Sequence, residues 1–330
     1  MIPHLRWGIL GTGNIATKFA ADCASVADRL SLRAVGSRDL AKAQAFAQKH
    51  GVAQAYGSYE AVLADDQVDA VYISLLNQQH REWAIAAARA GKHILCEKPA
   101  GMTAAEVADM IAAAHAADVF FMEGFIYRCH PRSALVKKLI SDGAIGGVRM
   151  LHATYSFAGA PLNRPRLWTR ATGGGGIMDV GVYPLSWLRM LAGEPVAIAA
   201  TAHLNADGVD EWCGGALRFA GDVVGTFTAA VNCFQPSVAA VFGADGWIEL
   251  PEPWRSPPGV PSCILHRAGK PDEAFTADDG LGGLAREALT VATYRDQREA
   301  PFFTHQDSLA QARMLDALRH QVGVWWEGEL

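Results

Sequence analysis

Short apolar runs alternate with helical patterns over the first third of the chain. The runs predict strands at residues 5–10, 32–36, 68–76, 93–96 and 119–122. Helical patterns lie between them, at residues 15–26, 41–50, 80–90 and 103–117. In the first of these helices, Ile15, Phe19, Cys23 and Val26 fall on one face at spacings of four, four and three. Strands that alternate with helices predict right-handed βαβ units in a parallel sheet.

The pattern changes from about residue 147. Strand-like segments follow one another at residues 148–157, 196–204, 212–219, 223–232, 238–242 and 247–250. Helical patterns flank them at residues 136–141, 185–191, 284–294 and 308–321. Turns rich in Asn, Asp and Gly separate several strands, which predicts a mostly antiparallel sheet. We therefore expect an α/β domain over residues 1–121 and an α+β domain over 122–330. The last helix is the one element that we expect to pack back on the first domain.

Composition and charge exclude several classes of protein. The 330 residues are 50% hydrophobic with a net charge of −5, which is typical of a folded chain. Without a Lys/Arg block, the sequence predicts neither a nucleic-acid partner nor an anionic membrane partner. No apolar run reaches the roughly 18 residues that span a bilayer, and the start lacks the order of a signal peptide. The six cysteines are scattered, which predicts buried thiols in a cytoplasmic protein. No cluster has the spacing of metal ligands, so no metal is expected.

A glycine motif follows the first predicted strand. Gly11-Thr12-Gly13-Asn14-Ile15-Ala16 has the form GxGxxA and opens a predicted helix. Gly11 would allow the tight turn, and Gly13 would let a pyrophosphate approach backbone N–H groups at the helix N-terminus. The alternative is a glycine-rich turn that binds nothing. The context of strand, turn and helix favours a dinucleotide site.

The tip of the second predicted strand distinguishes NADP from NAD. An acidic residue there binds the ribose 2′-hydroxyl of NAD, but this chain has Gly36-Ser37-Arg38. A hydroxyl followed by a guanidinium suits a 2′-phosphate, and Lys42 lies one helical turn further on. Asp39 is the contrary evidence, although it is equally suited to cap the next helix. The sequence therefore favours NADP over NAD.

Three further clusters follow the glycine motif in order. They are residues 91–99 (GKHILCEKP), 123–131 (EGFIYRCHP) and 173–184 (GGGGIMDVGVYP). In this order they resemble the glucose–fructose oxidoreductase, inositol dehydrogenase and rhizopine-catabolism (Gfo/Idh/MocA) family over nearly the whole chain. Asp179 and Tyr183 look most like the branch of dimeric dihydrodiol dehydrogenase and NADP-dependent D-xylose dehydrogenase, whereas many other members have His in place of Tyr183.

The resemblance implies a Rossmann domain followed by a domain with a large open-faced sheet. It implies that the adenosine half of NADP contacts Thr12, Gly13, Asn14, Ile15, Ser37, Arg38 and Lys42. It implies that the nicotinamide half lies along Leu75, Asn77, His80, Glu97 and Lys98. Arg166 matches a cofactor-contacting arginine in some members. The chain departs from several relatives at Arg286-Glu287, where they have Tyr-Glu, and this puts any role of that position in doubt.

Hydride transfer from a carbinol needs a group that takes the hydroxyl proton. Lys98 directly follows a predicted strand, at the sheet edge where ligands bind in such folds, and the resemblance implies a cis bond to Pro99. Tyr183 lies four residues after Asp179, which places both on one helix face. A phenol with a pKa of about 10 needs a nearby cation to act as a base, and Lys98 is a candidate. The alternatives are an exposed strand-end lysine, a core tyrosine and an Asp that caps a helix.

Other candidate residues remain ambiguous on the sequence alone. His80 is as well suited to begin a helix as to contact the nicotinamide. Tyr127 and Arg128 are candidates to line a sugar pocket with Asp179 and Tyr183, although Arg128 is equally suited to tie the two domains together. The run of glycines at 173–176 either lets backbone approach the cofactor or acts as a hinge.

Two classes of function are compatible with these residues. The first is an NADP-dependent oxidoreductase acting on a small polyhydroxylated substrate: a sugar, a cyclic polyol or a dihydrodiol. The second is a regulator on the same fold that senses nucleotides without catalysis, and within the enzyme class the alternative is an NAD-dependent inositol or nucleotide-sugar dehydrogenase. Lys98 and Tyr183 favour the enzyme because only catalysis needs them. The open face of the second sheet needs a cover, which predicts a homodimer or homotetramer.

Overall fold

The computed structural model describes residues 4–162, 164–255, 257 and 259–329, and of Pro161 it describes the backbone only. The chain forms two compact units, and both are discontinuous in sequence. The first comprises residues 1–129 and 280–312, and the second comprises residues 130–279 and 313–330. The expected domain boundary falls near residue 122, whereas the first unit continues to residue 129. The chain also returns to the first unit at residue 280, which the sequence did not predict.

The first unit is built on a six-stranded parallel sheet of order β3-β2-β1-β4-β5-β6. Its strands are β1 (Leu5–Leu10), β2 (Leu30–Gly36), β3 (Gln54–Tyr56), β4 (Ala70–Ile73), β5 (His93–Glu97) and β6 (Phe121–Gly124). Its helices are α1 (Asn14–Ala24), α2 (Leu40–His50), α3 (Tyr59–Ala64), α4 (His80–Arg89), α5 (Ala104–Ala116), α6 (Ile126–Cys129) and, after the return of the chain, α9 (Gly283–Tyr294). The central strands β1 and β4 are almost entirely buried, as expected for a parallel sheet covered on both faces.

Side chains at the helix ends explain where several of these helices begin. Asp39 caps α2 by accepting hydrogen bonds from the backbone N–H groups of Ala41 and Lys42, at 3.0 and 3.3 Å. Ser58 and Thr103 cap α3 and α5 in the same way. Gly51 ends α2 with a φ of +68°, a left-handed conformation that favours glycine. These caps place the loops that follow the strands at one edge of the sheet.

The second unit is built on an eight-stranded sheet of order β14-β13-β12-β11-β7-β10-β9-β8. Its strands are β7 (Val148–Ser156), β8 (Pro195–Leu204), β9 (Asp210–Phe219), β10 (Val224–Ala230), β11 (Val238–Gly243), β12 (Gly246–Leu250), β13 (Cys263–Arg267) and β14 (Glu273–Phe275). Neighbouring strands in this sheet are antiparallel, except that β7 and β10 are parallel. Its helices are α7 (Pro131–Ser141) and α8 (Val182–Ala192), and α10 (His305–Val322) begins in the first unit and enters the second at Arg313.

One face of the second sheet packs on α8. A Cβ at Gly225 of β10 would lie 3.4 Å from Leu188 of that helix. The opposite face carries exposed apolar side chains on neighbouring strands, among them Met150, Trp212 and Val224. The imidazole of His203 stacks on the Trp212 ring with the centroids 4.1 Å apart. This second face corresponds to the open face that the family resemblance implies.

Candidate functional site

The glycine motif forms a tight turn between β1 and α1. Gly11 has a φ of +107°, and a Cβ there would lie 3.1 Å from Ser74 Oγ and 3.2 Å from the Ser74 carbonyl oxygen. Gly13 is the N-cap residue of α1, and a Cβ there would have no heavy atom within 4 Å. The turn therefore presents free space in front of a helix N-terminus, where backbone N–H groups favour an anion. This geometry fits the pyrophosphate of a dinucleotide.

The loop after β2 presents the residues expected at a 2′-phosphate. Ser37 is buried and its hydroxyl accepts a hydrogen bond from Asp39 N, whereas the side chain of Arg38 is exposed beside the hydroxyl of Tyr59. Burial raises the pKa of Tyr59, against the opposing charge of Arg38. The carboxylate of Asp39 is engaged in capping α2, and Lys42 Nζ lies 3.7 Å from its second oxygen. Asp39 thus caps α2, which is one of the two roles that the sequence allows for it; the other is to bind the ribose of NAD.

The end of β5 carries the Glu-Lys-Pro segment. Glu97 accepts a hydrogen bond of 2.5 Å from the hydroxyl of Tyr72, Lys98 is half-buried, and the Lys98–Pro99 peptide bond is cis. His80 is fully buried, with Nδ1 2.9 Å from the carbonyl oxygen of Pro99 and Nε2 3.2 Å from that of Leu75. Burial lowers the pKa of His80, so the ring is neutral and donates to one carbonyl at a time. His80 therefore links the loop after β4, which includes the buried Asn77, to the segment that bears Lys98.

Tyr127 and Arg128 lie in the short helix α6 and are both nearly fully buried. The Tyr127 ring meets Phe125 edge-on with the centroids 6.1 Å apart. The Arg128 guanidinium lies 4.7 Å from the centroid of the Phe303 ring, within the same unit. Both side chains are therefore held by aromatic neighbours of the first unit.

A π-helical turn in the second unit carries Asp179. The turn spans Ile177–Gly181 and runs directly into α8, which carries Tyr183. Asp179 is nearly buried, and its Oδ1 accepts a hydrogen bond of 2.9 Å from the guanidinium of Arg166. Asp179 is therefore not the N-cap of α8, so this alternative interpretation of the sequence is wrong. Such turns often occur where a side chain has to be re-aimed at a functional site.

The glycine run at 173–176 makes room for a buried carboxyl group. A Cβ at Gly175, whose φ is +101°, would lie 2.4 Å from Asp210 Oδ1, and a Cβ at Gly176 would lie 3.0 Å from Asp210 Oδ2. Asp210 is fully buried, and its Oδ2 accepts a hydrogen bond of 2.7 Å from the backbone N–H of Ile177, the first residue of the π turn. Burial raises the pKa of Asp210 to about 7. The glycines are thus explained by packing under the turn that bears Asp179, and the sequence analysis did not identify Asp210.

Aromatic rings surround Tyr183 within the second unit. Its ring lies edge-on to Tyr155 of β7 at 5.3 Å and tilted against Trp254 at 5.8 Å, and Tyr155 and Trp254 stack at 5.9 Å. Trp254 Nε1 donates a hydrogen bond of 2.7 Å to the Thr154 carbonyl oxygen, which holds the indole in place. Burial raises the pKa of Tyr155, while the nearby Arg255 opposes this shift. No motif in the sequence points to Tyr155 or Trp254, which are 99 positions apart along the chain.

The described residues offer neither a metal centre nor a membrane-spanning helix. In that part of the chain, no group of three or more His, Cys, Asp and Glu side chains is arranged to hold a metal ion. None of its helices combines the length and the apolar character that crossing a membrane requires.

The fold and these sites define an oxidoreductase with a dinucleotide-binding Rossmann unit. Residues 5–125 match the model of the oxidoreductase family with an NAD-binding Rossmann fold, and residues 133–249 match the GFO/IDH/MocA C-terminal domain. The chain belongs to the GFO/IDH/MocA family, which confirms the resemblance seen in the sequence.

Relatives of known activity cover nearly the whole chain. Trans-1,2-dihydrobenzene-1,2-diol dehydrogenase from Homo sapiens is 32% identical over 327 residues, with 97% of each chain covered. A 3-ketoreductase from Actinomadura kijaniata, solved as a variant with TDP-benzene and NADP, has a TM-score of 0.88 at 25% identity, with 97% of this chain and 98% of that chain covered. Aldose-aldose oxidoreductase from Caulobacter crescentus, complexed with glycerol, has a TM-score of 0.85 at 28% identity, with 96% and 97% covered.

Proposed function

We propose that this protein transfers a hydride between NADP and a carbinol or carbonyl carbon of a ring-shaped substrate: a sugar, a cyclic polyol or a dihydrodiol. The observation that carries the proposal is the arrangement in the second unit. A carboxylate oriented by Arg166 and a phenol four residues later stand beside the rings of Tyr155 and Trp254. Aromatic faces suit the apolar faces of a substrate ring, and the carboxylate and phenol suit its hydroxyl groups.

NADP is the proposed cofactor because of the loop after β2. Arg38 offers positive charge in the same loop as the Ser37 hydroxyl, and Lys42 offers it in the first turn of α2. The carboxylate of Asp39 accepts the hydrogen bonds that cap α2. Guanidinium binds phosphate oxygens in pairs, whereas a ribose diol calls for a free carboxylate. The 3-ketoreductase relative was solved with NADP. The nicotinamide half is proposed to lie along Leu75, Asn77, His80, Glu97 and Lys98, which lie at or beyond the carboxyl ends of β4 and β5.

Bound nicotinamide would accept or donate the hydride, and residues of this chain would accept or donate the proton of the substrate hydroxyl. Tyr183 and Lys98 are the proposed proton-handling groups, because each is a titratable side chain near a sheet edge or a ring-lined surface. Asp179 is proposed to orient a substrate hydroxyl or a cationic partner, and Arg166 to hold Asp179 in place. Tyr127 and Arg128 are proposed as further substrate-binding residues, rigid because they are buried.

The names of the relatives indicate the range of substrates. The curated relatives act on a dihydrodiol, and one structural relative is an aldose-aldose oxidoreductase. Both substrates are polyhydroxylated carbon rings or their open forms, which is the class proposed here. Turnover with each compound of the panel described below identifies the substrate that this protein prefers.

We further propose a homodimer or homotetramer in the cytoplasm. The exposed face of the second sheet carries Met150, Trp212 and Val224, and a second copy of the chain is the proposed cover. All six cysteines are free thiols, which supports a reducing compartment.

The test is turnover with NADP and a panel of aldoses, cyclic polyols and dihydrodiols. Lys98→Met and Tyr183→Phe are each expected to lower kcat by at least about 100-fold while NADP still binds, because these groups act when the hydroxyl proton moves. Lys49→Met and Tyr294→Phe are matched controls that keep full activity. If Tyr183→Phe keeps kcat while Lys98→Met is inactive, Lys98 takes the proton. Full kcat in both variants, or no turnover with any substrate, would overturn the proposal and favour a regulator.

A further inference from the structure

A buried carboxyl group lies at the edge of the first sheet without a hydrogen-bond partner. Glu287 belongs to α9 and is 0% exposed. Neither Oε1 nor Oε2 has a hydrogen-bond partner among the residues that the structure describes. Burying an unpaired polar group costs stability, so a residue of this kind calls for an explanation in terms of function.

The position of Glu287 connects it to the proposed nicotinamide half of the cofactor site. A Cβ at Gly124 would lie 3.5 and 3.7 Å from its two carboxyl oxygens and 3.3 Å from the Cys96 carbonyl oxygen. Gly124 is the last residue of β6 and pairs with Glu97, the last residue of β5. The carboxyl group of Glu287 therefore lies at the carboxyl ends of β5 and β6, where Glu97 directly precedes Lys98 in the sequence. In a doubly wound sheet, ligands bind outside these strand ends.

The charges around Glu287 are mostly negative. Glu97 faces it from β5 and Asp22 from α1, whereas Arg286 of its own helix is the opposing cation. Cys129 of α6 is also close, and Glu287 contributes to the raised pKa of that thiol. Burial, followed by Glu97 and Asp22, raises the pKa of Glu287 well above its usual value. Burial without a hydrogen-bond partner, beside two other carboxyl groups, favours the neutral form of Glu287 in the cofactor-free protein.

The two redox forms of the cofactor differ at this edge of the sheet by one unit of charge. The oxidised nicotinamide ring is a cation and the reduced ring is neutral, while the phosphates are the same in both. In the proposed binding mode, the pyrophosphate lies at the glycine turn after β1 and the adenosine lies at the Arg38 loop after β2. The ring is then left over β4 and β5, near Glu97 and Glu287. A cation brought to a buried, neutral acid favours its ionisation.

We propose that Glu287 sets the preference of the first unit for the oxidised cofactor, by releasing its proton to solvent when NADP⁺ binds and keeping it when NADPH binds. The inference rests on the proposed function, because it requires that the site take NADP. The O–H bond of the carboxylic acid breaks, the carboxylate keeps the electron pair, and the buffer takes the proton. Glu287 acts through its charge and needs no contact with the substrate.

The experiment counts protons as cofactor binds to the full-length protein. NADP⁺ and NADPH are titrated separately by calorimetry at pH 7 in two buffers with different enthalpies of ionisation, and the difference gives the protons released. Wild type is expected to release more protons with NADP⁺ than with NADPH, by up to about one per site. Protons released on binding of the 2′-phosphate cancel, because both cofactors carry that phosphate.

Glu287→Gln is expected to abolish the difference in protons and to weaken NADP⁺ relative to NADPH by about tenfold. Asp296→Asn, an exposed carboxylate shortly after the same helix, is the matched control and should behave as wild type. Equal proton counts for the two cofactors in wild type would overturn the inference and leave the proposed function standing, without any need for a variant. A proton difference that survives in Glu287→Gln would also overturn it. Failure of wild type to bind either cofactor would overturn both proposals.

Discussion

Asp179 Oδ1 accepts a hydrogen bond from the guanidinium of Arg166 at 2.9 Å. The two residues lie in adjoining pieces of irregular structure, a 3-10 turn at Pro165–Leu167 and the π turn at Ile177–Gly181. The carboxylate side of the pair is shielded from solvent, since the side chain of Asp179 is 11% exposed, whereas that of Arg166 is 37% exposed. An ion pair of this kind fixes the direction of a carboxylate more effectively than an exposed pair.

The variants Arg166→Met and Asp179→Asn, with their double mutant, test whether the pair acts as a unit. Each single change should lower kcat by about 10–100-fold. The kcat of the double mutant should be no lower than that of the less active single mutant. This corresponds to a coupling energy of about 1–3 kcal/mol. Arg149→Met is the control, because Arg149 is exposed on β7. If Arg166→Met instead weakens NADP binding and leaves kcat intact, Arg166 is a cofactor contact that does not act through Asp179.

Arg38→Ala should raise the Michaelis constant for NADP by about 10–100-fold and leave that for NAD nearly unchanged. The physical reason is the loss of a charge-assisted hydrogen bond to phosphate, about 1.5–3 kcal/mol. Steady-state kinetics with both cofactors measures the effect. Arg29→Ala removes another partly exposed arginine of the same unit and should change neither constant. Equal losses with both cofactors would show that Arg38 has a structural role, for example beside Tyr59.

Asp210 should make the stability of the protein depend on pH. Its pKa is about 7 in the folded state, above the ordinary value of 3.8, so the folded protein holds a proton that the unfolded chain has lost. The contribution of Asp210 to stability should therefore be fully present below about pH 4 and be lost as pH rises from about 4 to about 7. Asp210→Asn keeps an acceptor for the Ile177 N–H and should remove about 1–4 kcal/mol of this loss between pH 5 and pH 8.

Urea unfolding at pH 5 and pH 8 measures this difference between wild type and Asp210→Asn. Asp142→Asn removes an exposed carboxylate of the same unit and should leave the pH dependence of wild type unchanged. Parallel curves for wild type and Asp210→Asn would mean that Asp210 is already ionised at pH 5.

Trp212→Lys should shift the assembly toward monomers. Trp212 is 43% exposed on the open face of the second sheet, and a lysine there would place a charge where apolar contact is proposed. Light scattering across a range of concentrations measures the change. Phe234→Lys is the matched control, since Phe234 is 90% exposed but lies outside the strands of the sheet. A wild-type protein that is monodisperse and monomeric at micromolar concentration would contradict the proposed assembly.

The fold class was predictable because the central elements have either continuous apolar runs or a clear helical period. The apolar runs of β1 and β4 and the helical face of α1 are strong local signals, and the parallel and mostly antiparallel sheets are confirmed. The short strands β3, β13 and β14, which lie at or next to a sheet edge, and the short helix α3 were missed. They have three to six residues, and their polar positions give too little periodicity to separate them from loops.

The candidate sites were predictable where the signal is local. The GxGxxA spacing predicts the Gly11 turn, and the Asp179–Tyr183 spacing is compatible with the continuous helical segment that carries both. The partners of these residues come from distant parts of the chain. Tyr155 reaches Tyr183 through β7, and Asp210 reaches the π turn from the start of β9. A single sequence does not indicate such pairings, because they arise from sheet register and packing.

The discontinuity of the first unit has a consequence for how the protein is made. Residues 1–129 leave the ribosome long before Gly280–Ala312, which supply α9 to the same unit. At common rates of about 5–20 residues per second, the interval is roughly 8–30 s. During that time β5 and β6 lack the helix whose N-terminus is later held by Asp22, which accepts a hydrogen bond from Leu284 N at 3.0 Å. The nucleotide-binding unit thus begins to form first during synthesis, but it is completed only after the whole sheet of the second unit has emerged.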